Sequence, residues 1–172
     1  MSGRWVCVLI GSDSDAPAMA DACATLDEAG IAYDMKVASA HRSPERTKQL
    51  VTEAERDGAA IFIAGASMAA HLPGVVASFT TKPVIGVPLP GSPLQGLDAL
   101  LAVVQMPPGV PVATVAIGRG GAENAAILAA QIIGLRSRAV RTRLERFKVE
   151  LAESVEGKNI RLQRKIAPEH DG

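Results

Sequence analysis

The sequence predicts a doubly wound α/β fold: five parallel strands with helices on both faces, closed by a C-terminal helix. Three observations carry that expectation. Short apolar runs recur along the 172 residues at intervals that leave room for a helix between them. The first run, Val6 to Ile10, is continuous instead of alternating, as in strands buried on both faces. Each run also ends in a loop of Gly, Ser, Asp, His or Pro before a helical pattern begins. The length fits one domain, residues 1–172, with a core over about 5–135 and a helix and tail over 136–172.

The first run, residues 6–10, ends in Gly11-Ser12-Asp13-Ser14-Asp15, and a helical pattern follows over 16–29 with Pro17 in its first turn. Proline costs little there, because its missing N–H would have had no partner within the helix. Backbone N–H groups and hydroxyls at a helix start suit a phosphate. Plain helix capping by Ser14 or Asp15 is the simpler alternative, and Asp13 with Asp15 as magnesium ligands is a weaker one, since no third carboxylate accompanies them.

The second run, 33–38, leads into Ser39-Ala40-His41-Arg42-Ser43-Pro44, where Pro44 opens a helix to about Asp57. Histidine exchanges a proton near neutral pH, and arginine holds a phosphate or carboxylate through a fixed fork of donors. One group therefore suits chemistry and the other anchorage. The competing reading makes His41 a helix cap and Arg42 a solvated charge.

The third strand is placed at 60–64, followed by Gly65-Ala66-Ser67-Met68-Ala69-Ala70-His71-Leu72-Pro73-Gly74, whose small residues let a ligand approach the backbone. His71, taken alone, reads as a structural histidine. A fourth strand at 84–87 opens into a proline-rich loop through Gly96, and a helix covers 97–104. Gln105-Met106-Pro107-Pro108-Gly109-Val110-Pro111 is then a shaped loop. The fifth strand is placed at 113–117. Its loop, 118–124, precedes an alanine-rich helix to Ile133 that is expected to pack tightly and to take no part in chemistry.

The last helix, 138 to about 156, aligns Val140, Leu144, Phe147, Leu151 and Val155 on one stripe. Its arginines alternate with Glu145, Glu150, Glu153 and Glu156, which predicts a salt-bridged, solvated face and not a nucleic-acid surface. The stripe and the alanine-rich helix together suggest an obligate homo-oligomer. Beyond Lys158, including His170, no chemistry is assigned.

Composition narrows the function. Eighteen basic residues balance eighteen acidic ones, and aromatics make up 3%, which argues against nucleic acid as a partner. The apolar stretch 59–77 is broken by Gly65, Ser67, His71, Pro73 and Gly74, so it reads as strand, turn and helix and not as a membrane span. Met1-Ser2-Gly3-Arg4-Trp5 has no long apolar run and does not read as a signal peptide. Cys7 and Cys23 lack metal-ligand spacing and read as buried thiols in a reducing cytoplasm.

In a doubly wound sheet the loops after the strands meet in a crevice at the carboxyl edge. The expectation is that all five unusual loops build one site there. Two classes of function then compete: an enzyme acting on a small phosphorylated substrate, with His41 moving a proton, and a non-catalytic nucleotide-binding or receiver-like module. A receiver needs a phospho-accepting aspartate at the end of the third strand, where this chain has Ala64-Gly65-Ala66. A P-loop fails as well, since no Gly-Lys-Ser/Thr follows any strand.

Gly-Ser-Asp-Ser-Asp at 11–15, Ser-Ala-His-Arg-Ser-Pro at 39–44, Ala-Ala-His-Leu-Pro-Gly at 69–74, Gln-Met-Pro at 105–107 and Val-Ala-Thr-Val-Ala-Ile-Gly at 112–118 together resemble the PurE family. These are the N5-carboxyaminoimidazole ribonucleotide mutases of purine (IMP) biosynthesis. The resemblance spans about 6–135. It implies a flavodoxin-like three-layer α/β/α fold, a cytoplasmic octamer with sites built from more than one subunit, and carboxylate transfer from N5 to C4 without ATP, metal or organic cofactor. By matching position, Ser12 and Asp15 contact the ribose phosphate, Arg42 grips the phosphate, and His41 is the general acid and base. His71 lies at the site, with Ser39, Ala70 and Leu72 shaping it.

A related branch, the aminoimidazole ribonucleotide carboxylases, uses free CO2. It usually carries Lys after the first histidine and lacks the Ala-His-Leu-Pro-Gly form, so Arg42 and His71 point to the mutase. Ser67 and Met68 stand where the mutase usually has two glycines.

Overall fold

The computed structural model describes residues 5–166; residues 1–4 and 167–172, which include most of the segment read for a leader and His170, lie outside the described residues. The elements alternate as expected: β1 (Trp5–Ile10), a 3-10 turn (Asp13–Asp15), α1 (Ala16–Glu28), β2 (Tyr33–Val37), α2 (Pro44–Arg56), β3 (Ala59–Ser67), α3 (Leu72–Phe79), β4 (Val84–Leu89), α4 (Leu97–Val104), β5 (Ala113–Thr114), α5 (Arg119–Gly134) and α6 (Arg138–Ile166). All strand pairings are parallel, in the order β2-β1-β3-β4-β5. This is the flavodoxin-like doubly wound topology, with the order reversing between β1 and β3.

Every residue of β1 and β4 is buried, which explains their unbroken apolar runs. On one face of the sheet Met19, Ala22 and Leu26 of α1 meet Ala122, Ala125, Ala126 and Ala129 of α5. Methyl side chains let α5 lie close to both the sheet and α1, so the alanine-rich helix is core packing. The other face is covered by Leu50 and Val51 of α2, Val76 of α3 and Val103 of α4. Each large side chain buried in these layers contributes about 1.5–3 kcal/mol.

Cys7 and Cys23 are free and buried; burial pushes the Cys7 thiol up to about 12 and raises that of Cys23.

Four boundaries differ from the sequence reading by three residues or more. β3 continues through Gly65, Ala66 and Ser67, which pair with Val87, Pro88 and Leu89 of β4. Small residues that resemble a loop are here a strand covered on both faces. β5 stops at Thr114, short of Ile117. Gly86 O accepts the Val115 amide at 3.1 Å and Pro88 O accepts the Gly118 amide at 2.9 Å, so two residues of β4 span three of the incoming chain. Pro88 has no N–H to return on that side, and regular pairing ends.

α5 begins at Arg119, so most of the expected fifth loop is helix. Gly121 makes this possible: a Cβ there would lie 1.7 Å from Ala116 O. α6 runs on to Ile166, ten residues past the expected end at 156. Of its stripe Val140 is buried and Leu144 and Phe147 are half-buried, but Leu151 and Val155 are exposed.

Arg146 Nε pairs with Glu150 at 3.3 Å on the exposed face, as expected, and two other arginines have a more specific use. Arg143 Nη1 donates to Ala29 O at the end of α1 (3.0 Å), and Arg141 Nε donates to Gly134 O at the end of α5 (3.2 Å). Both satisfy carbonyls at helix C-termini, where positive charge is favoured.

Candidate active site

Strand register places the site. Ile10 of β1 pairs with Val37 of β2 on one side and with Gly65 of β3 on the other, so the loops leaving these strands start side by side. Between them lies a cleft of about 480 Å³ lined by residues of the segments 11–15, 39–42 and 66–72. Ser12, Asp15, Ser39, His41, Arg42, Ala70, His71 and Leu72 all line it.

The remaining loops do not, contrary to the expectation of a five-loop site. β4 and β5 lie beyond β3, away from the switch point. Met106 packs against Gly74 instead, within 3.1 Å of where a Cβ would stand. Arg119 makes a paired contact with Asp21 of α1, Nε to Oδ2 at 2.7 Å and Nη2 to Oδ1 at 2.9 Å. From loop β4–α4, Gly91 abuts Ser67.

The first loop is shaped by its own side chains. Ser12 Oγ accepts the Ser14 amide at 3.3 Å, and Asp15 Oδ2 accepts the Ser12 amide at 3.1 Å, closing a capping box around the 3-10 turn. Asp13 Oδ1 accepts the Ser14 amide at 3.0 Å. Both carboxylates therefore serve the loop. Burial raises the Asp15 pKa, while the Ser12 amide and the Ser67 hydroxyl pull it back down.

In the second loop Ser39 Oγ accepts both the amide and Nε of Arg42, each at 3.2 Å. Among the described residues no carboxylate pairs with Arg42. The helix cap at α2 is Ser43, not His41. His41 instead reaches across to His71, with Nε2 2.6 Å from Nδ1 and the rings edge to face at 4.7 Å between centroids. His71 occupies the N-cap position of α3 but makes no side-chain capping bond. Its ring instead meets His41, and it is exposed at the cleft.

Ser14 and Met68 also line the cleft. Ser14 carries a sequence signal, the repeated Ser-Asp of 12–15; Met68 carries none except its departure from glycine.

The sequence model of the AIR carboxylase family matches residues 5–154. The chain belongs to that family, PurE. Relatives within PurE are close over most of its length. The N5-carboxyaminoimidazole ribonucleotide mutase of Pyrococcus horikoshii is 48% identical over 156 residues, covering 91% of this chain and 87% of its own. That of Mycobacterium tuberculosis (strain H37Rv) is 51% identical over 157 residues, 91% and 89% respectively. Among solved structures, the Treponema denticola PurE crystal structure superposes with a TM-score of 0.81 at 28% identity, covering 96% of this chain and 100% of that one. The PurE match extends past residue 135 into α6, further than the motifs alone reach.

Proposed function

We propose that the protein interconverts N5-carboxyaminoimidazole ribonucleotide and 4-carboxy-5-aminoimidazole ribonucleotide in purine biosynthesis. The observation that carries this reading is the His41–His71 contact at a cleft that also holds an unpaired Arg42. The names of the relatives support the same substrate.

Arg42 holds the phosphate with the Ser12 hydroxyl, and Asp15 contacts the ribose phosphate through the ribose hydroxyls, which can donate to a carboxylate. Ser39 presets the guanidinium by fixing its Nε, which reduces the ordering cost on binding. His41 delivers a proton to N5 as the carbamate C–N bond breaks, and neutral CO2 is released into the cleft. The electron-rich C4 of the aminoimidazole then attacks CO2, and the imidazole of His41 removes the C4 proton. One proton enters and one leaves, so the reaction needs neither ATP nor a redox partner. His71 lies at the site beside His41, with Ala70 and Leu72 forming the wall.

Arg42 after His41, and the sequence Ala70-His71-Leu72-Pro73-Gly74, favour this transfer over carboxylation by free CO2. The deciding experiment compares turnover of N5-carboxyaminoimidazole ribonucleotide with that of aminoimidazole ribonucleotide plus bicarbonate. Faster conversion of the second substrate at physiological bicarbonate would replace the mutase reading by the carboxylase one.

We further infer that the protein is a single cytoplasmic domain that works as a homo-octamer. Leu97, Leu101 and Val104 form an exposed stripe on α4, and Leu151, Val155, Ile160, Leu162 and Ile166 are exposed along α6. The alanine-rich helix no longer enters that argument, because α1 and the sheet cover it. Light scattering that finds an active monomer would refute the assembly.

A further inference from the structure

The last residue of β3 reaches the first site loop. Gly65 O accepts the Gly11 amide at 3.1 Å, so the end of β3 runs beside the segment 11–15. Ser67, held in register with Leu89 of β4, lines the cleft, and its hydroxyl bonds to the Asp15 carboxylate. Gly91 stands behind it: a Cβ there would lie 2.7 Å from Ser67 Cβ and 2.9 Å from its Oγ. The serine therefore fills the space that a larger residue at 91 would take, and its hydroxyl has a fixed place.

Asp15 is 8% exposed, and burial opposes its charge. Asp13 adds a like charge from the same turn, while Arg42, His41 and His71 are the other charged or titratable groups lining the cleft. Two donors favour the ionised form: the Ser12 amide, 3.1 Å from Oδ2 within the same loop, and the Ser67 hydroxyl from β3. An ionised carboxylate has about four acceptor positions, so two donors leave room for the hydroxyls of a ribose.

We propose that Ser67 is a positioning residue for Asp15: its hydroxyl, placed by the extension of β3 and backed by Gly91, keeps the carboxylate set to accept from the ribose hydroxyls of the substrate. The inference rests on the reading of Asp15 as a ribose contact. A glycine at 67 leaves the carboxylate transfer itself intact and removes only this hold, so the effect falls on substrate binding. Support of a binding group from a second, rigid element lowers the cost of ordering it when the ligand arrives.

The test follows KM for 4-carboxy-5-aminoimidazole ribonucleotide as the pH is lowered from neutrality, in wild type, Ser67→Ala, Ser67→Gly and Asp15→Asn. Wild type loses affinity as Asp15 takes up a proton. In both Ser67 variants that loss is expected to begin at a higher pH, leaving KM several-fold above wild type in acid, with a smaller effect on kcat. Arg42, His41, His71 and the substrate phosphate are common to these enzymes, so the difference between them isolates Asp15. Asp15→Asn should show a raised KM without this loss. Ser67 variants that match wild type at every pH, beside a weakened Asp15→Asn, overturn the hold and leave the ribose contact standing. A KM raised equally at all pH marks lost packing and overturns the hold as well. An Asp15→Asn enzyme that binds as wild type does overturns both.

Discussion

His41 Nε2 lies 2.6 Å from His71 Nδ1, although the two residues are thirty positions apart and sit on loops that follow different strands. While that contact lasts, one nitrogen donates and the other accepts, so the two rings together hold at most one positive charge.

Replacing His41 tests that arrangement most directly. His41→Asn retains a hydrogen-bonding side chain that cannot titrate, and turnover is expected to fall by ~10²–10⁴, the range for a positioned acid–base group. Circular dichroism and light scattering should be unchanged, and substrate should still bind. Near-normal turnover would transfer the proton role to His71.

Arg42→Ala addresses anchorage. Charge-assisted hydrogen bonds contribute about 1.5–3 kcal/mol, so KM should rise by roughly 10–100-fold with a smaller effect on kcat. Arg42→Lys should recover only part of the loss, since an ammonium cannot reproduce the bond from Nε to Ser39 together with a fork toward phosphate. An unchanged KM would remove Arg42 from the phosphate site.

Asp15 predicts a pH dependence of stability. Burial raises its folded pKa above the ordinary value of 3.8, so the folded state binds this proton more tightly than the unfolded chain does. The stabilisation is complete below that ordinary value and is lost as pH rises through the folded one. Asp15→Asn does not titrate, so its urea midpoint relative to wild type should improve across that window and then level off. A difference that stays flat with pH would contradict the burial effect.

Gly121→Ala probes the start of α5. The added methyl meets Ala116 O, a backbone atom that cannot turn away, and the helix must shift to make room. A loss of about 1–3 kcal/mol is expected by chemical denaturation, the usual penalty for overpacking. Gly120→Ala makes a matched control, because nothing lies within 4 Å of its Cβ position.

The order of strands and helices was legible because buried parallel strands are written as unbroken apolar runs such as Val6-Cys7-Val8-Leu9-Ile10. The first and third site loops were legible for the same reason, each following such a run; the second follows the alternating Tyr33-Asp34-Met35-Lys36-Val37 and was marked by its His-Arg pair. The ends of β3 and β5 were not. Gly65-Ala66-Ser67 has the composition of a loop, and only pairing with β4 makes it a strand; Pro88 halts β5 from a neighbouring strand, which no local pattern in β5 records. The reach of the site was overstated because a loop's composition does not tell how far its strand lies from the switch point. The His41–His71 contact also depends on register between strands, so each histidine alone invited a structural reading.

The short β5 has a consequence for how copies of this chain can meet. One border of the sheet is a two-residue strand flanked by Pro111 and by the irregular crossing at Pro88, and the other carries Asp34 and Lys36, paired to each other at 2.9 Å. The β5 border offers no long, regular row of free amides and carbonyls to an incoming strand, and at the β2 border the two charged side chains disfavour one. Growth of the sheet from molecule to molecule is therefore discouraged at both ends, in a chain with so apolar an interior.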